Sequence, residues 1–199
     1  GLNVRYKITV VGAGYVGMSI AVLLAQHNEV VLLDVDKKRI DLINAKKSTV
    51  KDADIDRFFN NKNLQISATD DLVAAYDNAS FIVVATPTNY DPETNKFDTS
   101  LVDMVCRDAL RINENALVVI KSTLPIGHTA HLQASLGTKR VIFSPEFLRE
   151  GKSLHDNLYP SRIVIGGNCP LSTSFAGLLV QACELSEPET LFMDSTEAE

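Results

Sequence analysis

The stretch GAGYVG, residues 12–17, follows the apolar run KITVV and precedes the apolar run MSIAVLLAQ. Three glycines at this spacing, between a strand and a helix, are typical of loops that hold a dinucleotide. Gly12 would permit a tight turn, Gly14 would let the backbone approach a pyrophosphate, and Gly17 would let the helix pack closely on the strand. The start of the helix would then offer free N–H groups to the phosphates.

An acidic residue at the end of the next apolar run strengthens this interpretation. Asp34 closes VVLLD, seventeen residues after Gly17, where a carboxylate can accept hydrogen bonds from ribose hydroxyls. With Asp36 close by, it should repel a 2′-phosphate, so NAD is predicted in preference to NADP, and Arg39 weakens that preference. The alternative is a structural glycine turn followed by a strand-end aspartate that caps the next helix.

Length, charge and cysteine content narrow the class of protein. The 199 residues are 45% hydrophobic, which suffices for one domain with one core. A net charge of -6 gives no electrostatic reason to expect nucleic acid or an anionic membrane as a partner. The three cysteines lack CxxC spacing, so we expect no disulfide framework, no metal site and a reducing cytoplasmic location.

The uncharged segment 8–28 resembles a signal peptide or a membrane anchor only in its composition. Three glycines, Thr9 and Ser19 interrupt its apolar run, and polar residues follow where a cleavage site or stop-transfer pattern should stand. We therefore predict a buried strand followed by the buried face of a helix.

Short apolar runs alternate with longer amphipathic segments along the chain, which predicts strands and helices around a parallel sheet. We predict strands over residues 7–11, 30–34, 65–67, 81–85, 117–120, 141–143, 163–165 and 191–193. Helices are predicted over 14–26, 37–44, 99–112, 129–136 and 171–183, and an irregular loop over 89–100. The expected fold is α/β: a Rossmann-like, doubly wound, mostly parallel sheet with helices on both faces.

Two of the predicted strands are followed by hydroxyl-bearing segments, ATPTNYD at 85–91 and KSTLPIG at 121–127. Ligands of open parallel sheets gather at the carboxyl ends of the strands, so Thr86, Thr88, Ser122 and Thr123 could contact a cofactor. Helix caps and turn residues are the alternative interpretation. A third segment, 144–167, begins with SPEFLREGK and concentrates charged residues, for which a solvated charged face is the alternative.

These segments, in this order and spacing, resemble the amino-terminal half of the UDP-glucose/GDP-mannose dehydrogenase family. The wording of PEFLREGKSLHDNLYPSRIVIG is most similar to the UDP-glucose branch, although the GDP-mannose and UDP-N-acetylhexosamine branches share much of the pattern. The resemblance covers essentially the whole chain and implies that residues 1–199 form an NAD-binding domain.

The resemblance implies that the complete enzyme oxidises UDP-glucose to UDP-glucuronate, delivering hydride to two NAD molecules in succession. It implies NAD contacts from Gly12, Gly14, Val16, Gly17, Asp34, Arg39, Thr88, Thr123 and Glu150. It also implies that the sugar nucleotide is lined by Glu146, Phe147, Leu148, Arg149 and Glu150. Thr123 and Glu150 are the implied catalytic residues, a hydroxyl and a carboxylate able to share proton transfer.

The family's catalytic cysteine belongs to a downstream glycine-rich motif ending in Pro-Lys-Asp, which this sequence lacks. Cys169, in GGNCPLS, has no Lys-Asp after it, and we expect it at a turn and not as a nucleophile. Cys106 and Cys183 are expected to be buried within amphipathic helices.

The final residues predict the beginning of another helix, because Thr196 and Glu199 match the T-x-x-E pattern of a capping box. We therefore expect an excised cofactor domain that lacks the central dimerisation region and the carboxyl-terminal UDP-binding domain of a homodimeric enzyme. A stand-alone NAD-binding module without chemistry is the alternative.

Overall fold

A computed structural model describes residues 4–167, 169–185 and 188–199. The strands are β1 Lys7–Val11, β2 Glu29–Leu33, β3 Ile66–Thr69, β4 Phe81–Val84, β5 Asn89–Asp91, β6 Lys96–Asp98, β7 Leu117–Ile120, β8 Val141–Phe143, β9 Ile163–Gly166 and β10 Thr190–Met193. The helices are α1 Tyr15–Leu24, α2 Lys37–Asn44, α3 Ala53–Asn61, α4 Leu72–Tyr76, α5 Ser100–Ile112, α6 His128–Leu136, α7 Ser153–Leu158, α8 Pro170–Ala182 and α9 Ser195–Ala198. Every predicted strand and helix is present, with ends that differ by at most two residues.

Six strands form the central sheet in the order β3-β2-β1-β4-β7-β8, and all neighbours within it are parallel. When the hairpin strands β5 and β6 are left out of the numbering, this is the 3-2-1-4-5-6 strand order of the doubly wound Rossmann fold. The order reverses between β1 and β4, so the loops that follow these two strands diverge and leave a crevice at their carboxyl ends. The predicted fold class is confirmed.

The central strands are buried on both faces, and their side chains alternate between two hydrophobic clusters. In β4, Phe81 and Val83 belong to one cluster, and Ile82 and Val84 belong to the other. The first cluster contains residues of α1, α2, α3, α7 and α8, and the second contains residues of α4, α5 and α6. Continuous apolar runs such as FIVV form these strands because both faces of a parallel sheet are covered by helices.

The prediction of an irregular loop over 89–100 is wrong. β5 and β6 form an antiparallel hairpin outside the central sheet, in which Tyr90 lies opposite Phe97 with ring centroids 5.1 Å apart. Opposed aromatic side chains stabilise a short two-stranded ribbon, and here a single such pair lies among polar residues.

The helix predicted at the end of the chain is present as α9, but its predicted capping box is wrong. Asp194 is the N-cap, and its carboxylate accepts a hydrogen bond from the Glu197 backbone N–H at 2.9 Å. Thr196 lies inside the helix. Because Asp is as good an N-cap as Thr, the D-x-x-E pattern two residues earlier begins the helix.

The three cysteines lie in different environments. Cys106 is buried in α5 as predicted, and burial raises the pKa of its thiol to about 12. The prediction for Cys183 is wrong, because this residue is half-buried and follows the last residue of α8. Cys169 precedes α8; burial raises its pKa, but hydrogen bonds from Ser172 and from backbone N–H groups outweigh burial and lower it.

Within the described ranges, no helix is both long enough and apolar enough to cross a membrane.

Candidate functional site

A cavity of about 620 Å³ lies at the carboxyl ends of β1, β2, β4 and β7, where the strand order reverses. We call it the main cavity. Its lining joins the segments that the sequence singled out: Gly12, Gly14, Val16, Asp34, Arg39, Thr86, Thr88, Ser122, Thr123 and Glu146. Gly17 and Glu150 are not part of this lining.

The glycine loop has a separate geometric reason for each glycine. Gly12 has a φ of +97°, and a Cβ there would lie 2.8 Å from the Ala85 carbonyl oxygen. A Cβ at Gly17 would lie 1.7 Å from the Gly12 carbonyl oxygen, so only glycine lets α1 pack against this loop. A Cβ at Gly14, in contrast, would meet no atom within 4 Å. The backbone at Gly14 is therefore accessible from the cavity.

The amino terminus of α1 is open to the same space. Gly14 is the N-cap of α1, and no side chain caps the first turn. The unpaired N–H groups at the start of a helix carry a partial positive charge and attract phosphate. This edge of the main cavity can therefore hold an anion.

Asp34 is buried and holds the glycine loop as well as facing the cavity. One carboxylate oxygen accepts a hydrogen bond from the Ala13 backbone N–H at 2.9 Å, and the other accepts one from Asp36 N–H at 2.8 Å. Arg39 approaches the first of these oxygens at 3.4 Å. A carboxylate has about four acceptor positions, so Asp34, with these three contacts, retains capacity for a ligand hydroxyl on the oxygen that Asp36 N–H contacts.

The hydroxyl segments after β4 and β7 are tied to each other along one edge of the main cavity. Thr88 donates a hydrogen bond to the Thr123 carbonyl oxygen at 2.9 Å, and Ser122 donates one to the Thr86 carbonyl oxygen. The hydroxyl of Ser122 is thereby used internally. Thr86 is different: its buried Oγ1 has no hydrogen-bond partner within the described residues.

A second cavity, of about 300 Å³, lies beside α1 and the loop at 145–149. Its lining includes Phe147, Leu148, Arg149 and Arg162. Val16, Lys121 and Glu146 line both cavities and mark the place where they meet. A ligand in the main cavity and one in the second cavity would therefore approach each other at these residues.

Lys121 is a charged group at this junction that the sequence interpretation did not include. Its Nζ lies 3.0 Å from the Ser144 hydroxyl, and burial lowers its pKa to about 8, although the Glu146 carboxylate opposes the shift. A carboxylate and a perturbed ammonium group at a cavity junction are typical of functional sites. The sequence signal was its place directly after β7, as the first residue of KST.

The loop after β8 carries the predicted sugar-nucleotide residues. Glu146 accepts a hydrogen bond from the Leu148 N–H at 2.6 Å, while the Arg149 guanidinium is paired with Asp156 at 2.7 Å. Glu150 is exposed at a turn and lines neither cavity. Burial, and then the carboxylates of Glu146 and Glu150, raise the pKa of Tyr15, so both carboxylates lie within electrostatic reach of α1.

The apolar wall of the main cavity was also missed. Leu101 and Met104 on α5 are 39% and 44% exposed, beside the buried Val105. The signal in the sequence was that α5 carries more apolar residues than the core buries, since Leu101 and Met104 remain exposed. An apolar wall opposite a few polar groups is usual for a small-molecule site.

A glycine loop under an open helix terminus, with an acidic residue after the neighbouring strand, defines a dinucleotide-binding domain of the Rossmann type. Comparison with known proteins narrows this class. The chain belongs to the UDP-glucose/GDP-mannose dehydrogenase family: the model of that family's NAD binding domain matches residues 6–180.

Individual relatives agree with this assignment. The chain is 45% identical to UDP-glucose 6-dehydrogenase of Campylobacter jejuni over 195 residues, covering 97% of this chain and 50% of the relative. It is 48% identical to UDP-glucose 6-dehydrogenase of Streptococcus pneumoniae over 160 residues, covering 80% and 41% of the two chains. The fold matches a UDP-glucose dehydrogenase structure from Pyrobaculum islandicum with a TM-score of 0.83 at 27% identity, covering 98% of this chain and 48% of that one. The chain thus spans about half the length of these relatives or less.

The cavity fits the NAD of this family. Its volume of about 620 Å³ lies within the usual range for small-molecule sites. The uncapped start of α1, the open space at Gly14 and the unpartnered Thr86 hydroxyl are all polar features that a dinucleotide would use.

Proposed function

We propose that this chain is the NAD-binding half of an enzyme that oxidises UDP-glucose to UDP-glucuronate. The observation that carries the proposal is the main cavity, which joins the glycine loop and Asp34 to the loops after β4, β7 and β8. The names of the two relatives at 45% and 48% identity support UDP-glucose as the substrate. Because the chain spans only part of those relatives, the activity is proposed for the complete enzyme.

In this proposal the adenosine ribose lies at Asp34 and the pyrophosphate lies over Gly12, Gly14 and the start of α1. Val16, Arg39, Thr88, Thr123 and Glu150 complete the proposed cofactor contacts, and Gly17 keeps α1 close to the loop. Asp34 and Asp36 disfavour a 2′-phosphate, whereas Arg39, which approaches both carboxylates, reduces that effect. We expect NAD to be preferred.

The sugar nucleotide is proposed to reach the junction from the side of the second cavity. Glu146, Phe147, Leu148 and Arg149 line that cavity, and Glu146 also faces the main cavity. When bound, NAD would accept hydride from the CH2OH carbon of the sugar. Thr123, which lines the main cavity, and Glu150, which is exposed outside both cavities but within electrostatic reach of Tyr15 in the main-cavity lining, are proposed as the catalytic hydroxyl and carboxylate that share proton transfer.

Two alternatives lead to different experimental results. Another nucleotide-sugar dehydrogenase would share the cofactor site and differ in substrate, and a stand-alone NAD-binding module would bind without chemistry. The pair of cavities meeting at Lys121 and Glu146 favours an enzyme, because a module that only binds NAD has no need for a second polar cavity. We propose a cytoplasmic, homodimeric complete enzyme; the three free cysteines fit a reducing compartment.

Calorimetric titration of the 199-residue chain with NAD and NADP tests the cofactor site. Asp34→Ala should weaken NAD binding by roughly 1 to 3 kcal/mol and narrow the preference over NADP, because ribose hydrogen bonds and phosphate repulsion are lost together. Asp36→Ala is the matched control: its carboxylate caps α2 through Lys38 N–H, and NAD affinity should change much less. Equal effects of the two substitutions would contradict the assignment of Asp34.

An absorbance assay for NADH with UDP-glucose tests the chemistry. The chain alone should bind NAD and produce no NADH, whereas the complete enzyme should produce it with UDP-glucose in preference to GDP-mannose. Turnover by the chain alone that is lost in Cys169→Ser would show that Cys169 serves as the nucleophile and would overturn the proposed division. If the complete enzyme oxidises another nucleotide sugar and not UDP-glucose, the proposed substrate is incorrect.

A further inference from the structure

The hydroxyl of Thr86 is the exception among the buried polar side chains. Thr86 follows β4 and is 8% exposed, and its Oγ1 is the one buried side-chain oxygen or nitrogen without a hydrogen-bond partner in the described part of the chain. A buried hydroxyl that makes no hydrogen bond is destabilising, because it has lost water and gained nothing. The protein therefore carries a cost at this position that its own packing does not explain.

The surrounding polar groups already have partners, so the Thr86 hydroxyl is left over. Ser122 donates to the Thr86 carbonyl oxygen, and Thr88 donates to the Thr123 carbonyl oxygen. The Thr86 backbone, not its hydroxyl, therefore ties the loops together. A valine of the same shape would serve the fold equally well without an unsatisfied polar atom.

The position of Thr86 indicates which part of a dinucleotide lies close to it. Thr86 lines the main cavity, and its backbone nitrogen would lie 3.2 Å from a Cβ placed on Gly12. It therefore adjoins the glycine loop, on the side that leads to Ser122 and Thr123. The groups next to it would be the central diphosphate and the ribose beyond it, both of which offer oxygen acceptors.

We propose that Thr86 Oγ1 is a cofactor-binding group that donates a hydrogen bond to an oxygen of the diphosphate or of the ribose beyond it. The proposal rests on the proposed NAD-binding function. The hydroxyl is enclosed in the free chain, so binding includes a rotation about χ1, which moves the hydroxyl from one staggered position to another. The rotation breaks no hydrogen bond, because Oγ1 makes none.

Two substitutions at Thr86 and one control separate a binding role from a structural one. Thr86→Val keeps the shape and removes the hydroxyl, and Thr86→Ser keeps the hydroxyl. The control is Thr9→Val, on the neighbouring strand β1, since the Thr9 hydroxyl is fully buried, donates to the Ala75 carbonyl oxygen and lies outside the cavity lining. Each protein is titrated calorimetrically with NAD, ADP-ribose, ADP and AMP, and its melting temperature is measured without ligand.

We expect Thr86→Val to lower the affinities for NAD and ADP-ribose by about tenfold, to leave the affinity for AMP unchanged, and to be rescued by Thr86→Ser. An equal loss for ADP would assign the bond to the diphosphate, and an unchanged ADP affinity would assign it to the ribose. Without ligand, Thr86→Val should melt about 2 to 4 °C higher than the unsubstituted chain. Thr9→Val should instead melt lower and bind NAD normally.

Unchanged NAD affinity in Thr86→Val would overturn the inference, as would a lowered melting temperature, which would show that the hydroxyl has a partner in the protein. A loss of AMP affinity equal to that of NAD would also overturn it. Failure of the unsubstituted chain to bind NAD would instead contradict the proposed function of the chain, so the two failures are distinct.

Discussion

The two sides of the main cavity are built in different ways. We call residues 12–17 with Asp34 the glycine rim, and residues 86–88 and 121–123 with Glu146 the strand-end rim. The glycine rim comes from one continuous β1-α1-β2 unit. Its geometry is fixed by the close approach of Gly17 to the Gly12 carbonyl oxygen and by the hydrogen bond from Ala13 N–H to the Asp34 carboxylate. The strand-end rim joins three segments that are far apart in the chain. The Thr88 and Ser122 hydroxyls connect the segments after β4 and β7, and Lys121 connects the segment after β7 to Ser144, which follows β8.

This difference indicates how the two rims respond to change. At Gly12 and Gly17 the glycine rim has no space for a side chain, because an added Cβ would meet backbone atoms, and a substitution there should disrupt the whole loop. The strand-end rim depends on side-chain hydrogen bonds and on the partly buried charge of Lys121, each of which contributes a moderate and separable amount. Substitutions on the two rims should therefore differ in size and in their dependence on pH.

The largest effect is expected from Gly17→Ala. Its Cβ would lie 1.7 Å from the Gly12 carbonyl oxygen, so α1 must move away from the loop or the loop must open. We expect the free energy of unfolding to fall by about 3 kcal/mol or more, the upper range for overpacking, with loss of NAD binding. Urea denaturation monitored by circular dichroism measures the change.

Gly177→Ala is the matched control, because Gly177 also lies within a helix, α8, and a Cβ there meets no atom within 4 Å. This substitution should stabilise the chain by about 0.5 to 1 kcal/mol, since alanine restricts the unfolded chain more than glycine does. If Gly17→Ala is tolerated as well as Gly177→Ala, the description of the glycine rim as a rigid backbone contact is incorrect.

The same contrast explains how far the sequence predicts this molecule. The glycine rim is local, so the order strand, glycines, helix, strand and Asp34 predicts it from one short segment. The strands were predicted well because runs such as FIVV and LVVI are buried on both faces. Short elements could not be predicted from the sequence pattern. The helix α4, for example, has only five residues, and its N-cap Asp71 resembles any polar turn residue.

The strand-end rim was predictable only in part. The positions after β4 and β7 indicated that Thr86, Thr88, Ser122 and Thr123 lie near a ligand, but not which hydroxyls the protein uses itself. That division depends on distances between segments far apart in the chain. For the same reason, the junction at Lys121 and the place of Glu150 outside both cavities required three-dimensional structure.

The second effect concerns Lys121 and appears as a pH dependence. Burial lowers the pKa of this lysine to about 8, so the folded chain releases the proton at a pH where the unfolded chain still holds it. The unfolded state therefore binds more protons between about pH 8 and pH 10.4, and stability should rise with pH in this window by at most about 3 kcal/mol from this group. Lys121→Met should abolish that contribution.

Other groups titrate in the same window, so the measurement is the difference in unfolding free energy between variants at about pH 7.5, 8.5 and 9.5, which span the titration of Lys121. Lys37→Met removes an exposed lysine of α2 and should preserve the rise. If Lys121→Met retains the same rise as Lys37→Met, Lys121 is not desolvated at the junction, and the strand-end rim does not depend on its charge.

The smallest effect is expected behind the strand-end rim, at Glu199. α6 begins after Gly127, which has a φ of +85° and no capping side chain of its own. The Glu199 carboxylate replaces the cap: it accepts hydrogen bonds from Gly127 N–H and Thr129 N–H, both at 2.9 Å, and from the Thr129 hydroxyl at 2.8 Å. A carboxylate at a helix amino terminus satisfies free donors and interacts favourably with the helix dipole.

Glu199→Ala should lower the free energy of unfolding by about 1 to 2 kcal/mol, as loss of an N-cap usually does, and should accelerate amide hydrogen exchange at Gly127 and Thr129. Thr129→Val removes only the hydroxyl contact, so its effect should be smaller and should not add fully to that of Glu199→Ala, because the two residues share one interaction. Glu197→Ala, on the same helix but without a contact to α6 among the described hydrogen bonds, should leave exchange at Gly127 unchanged. If amide exchange accelerates at Ala13 instead of Gly127, the substitution acts on the glycine rim. The distinction between the glycine rim and the strand-end rim would then be incorrect, since α9 would stabilise the whole cavity and not the loop after β7 alone.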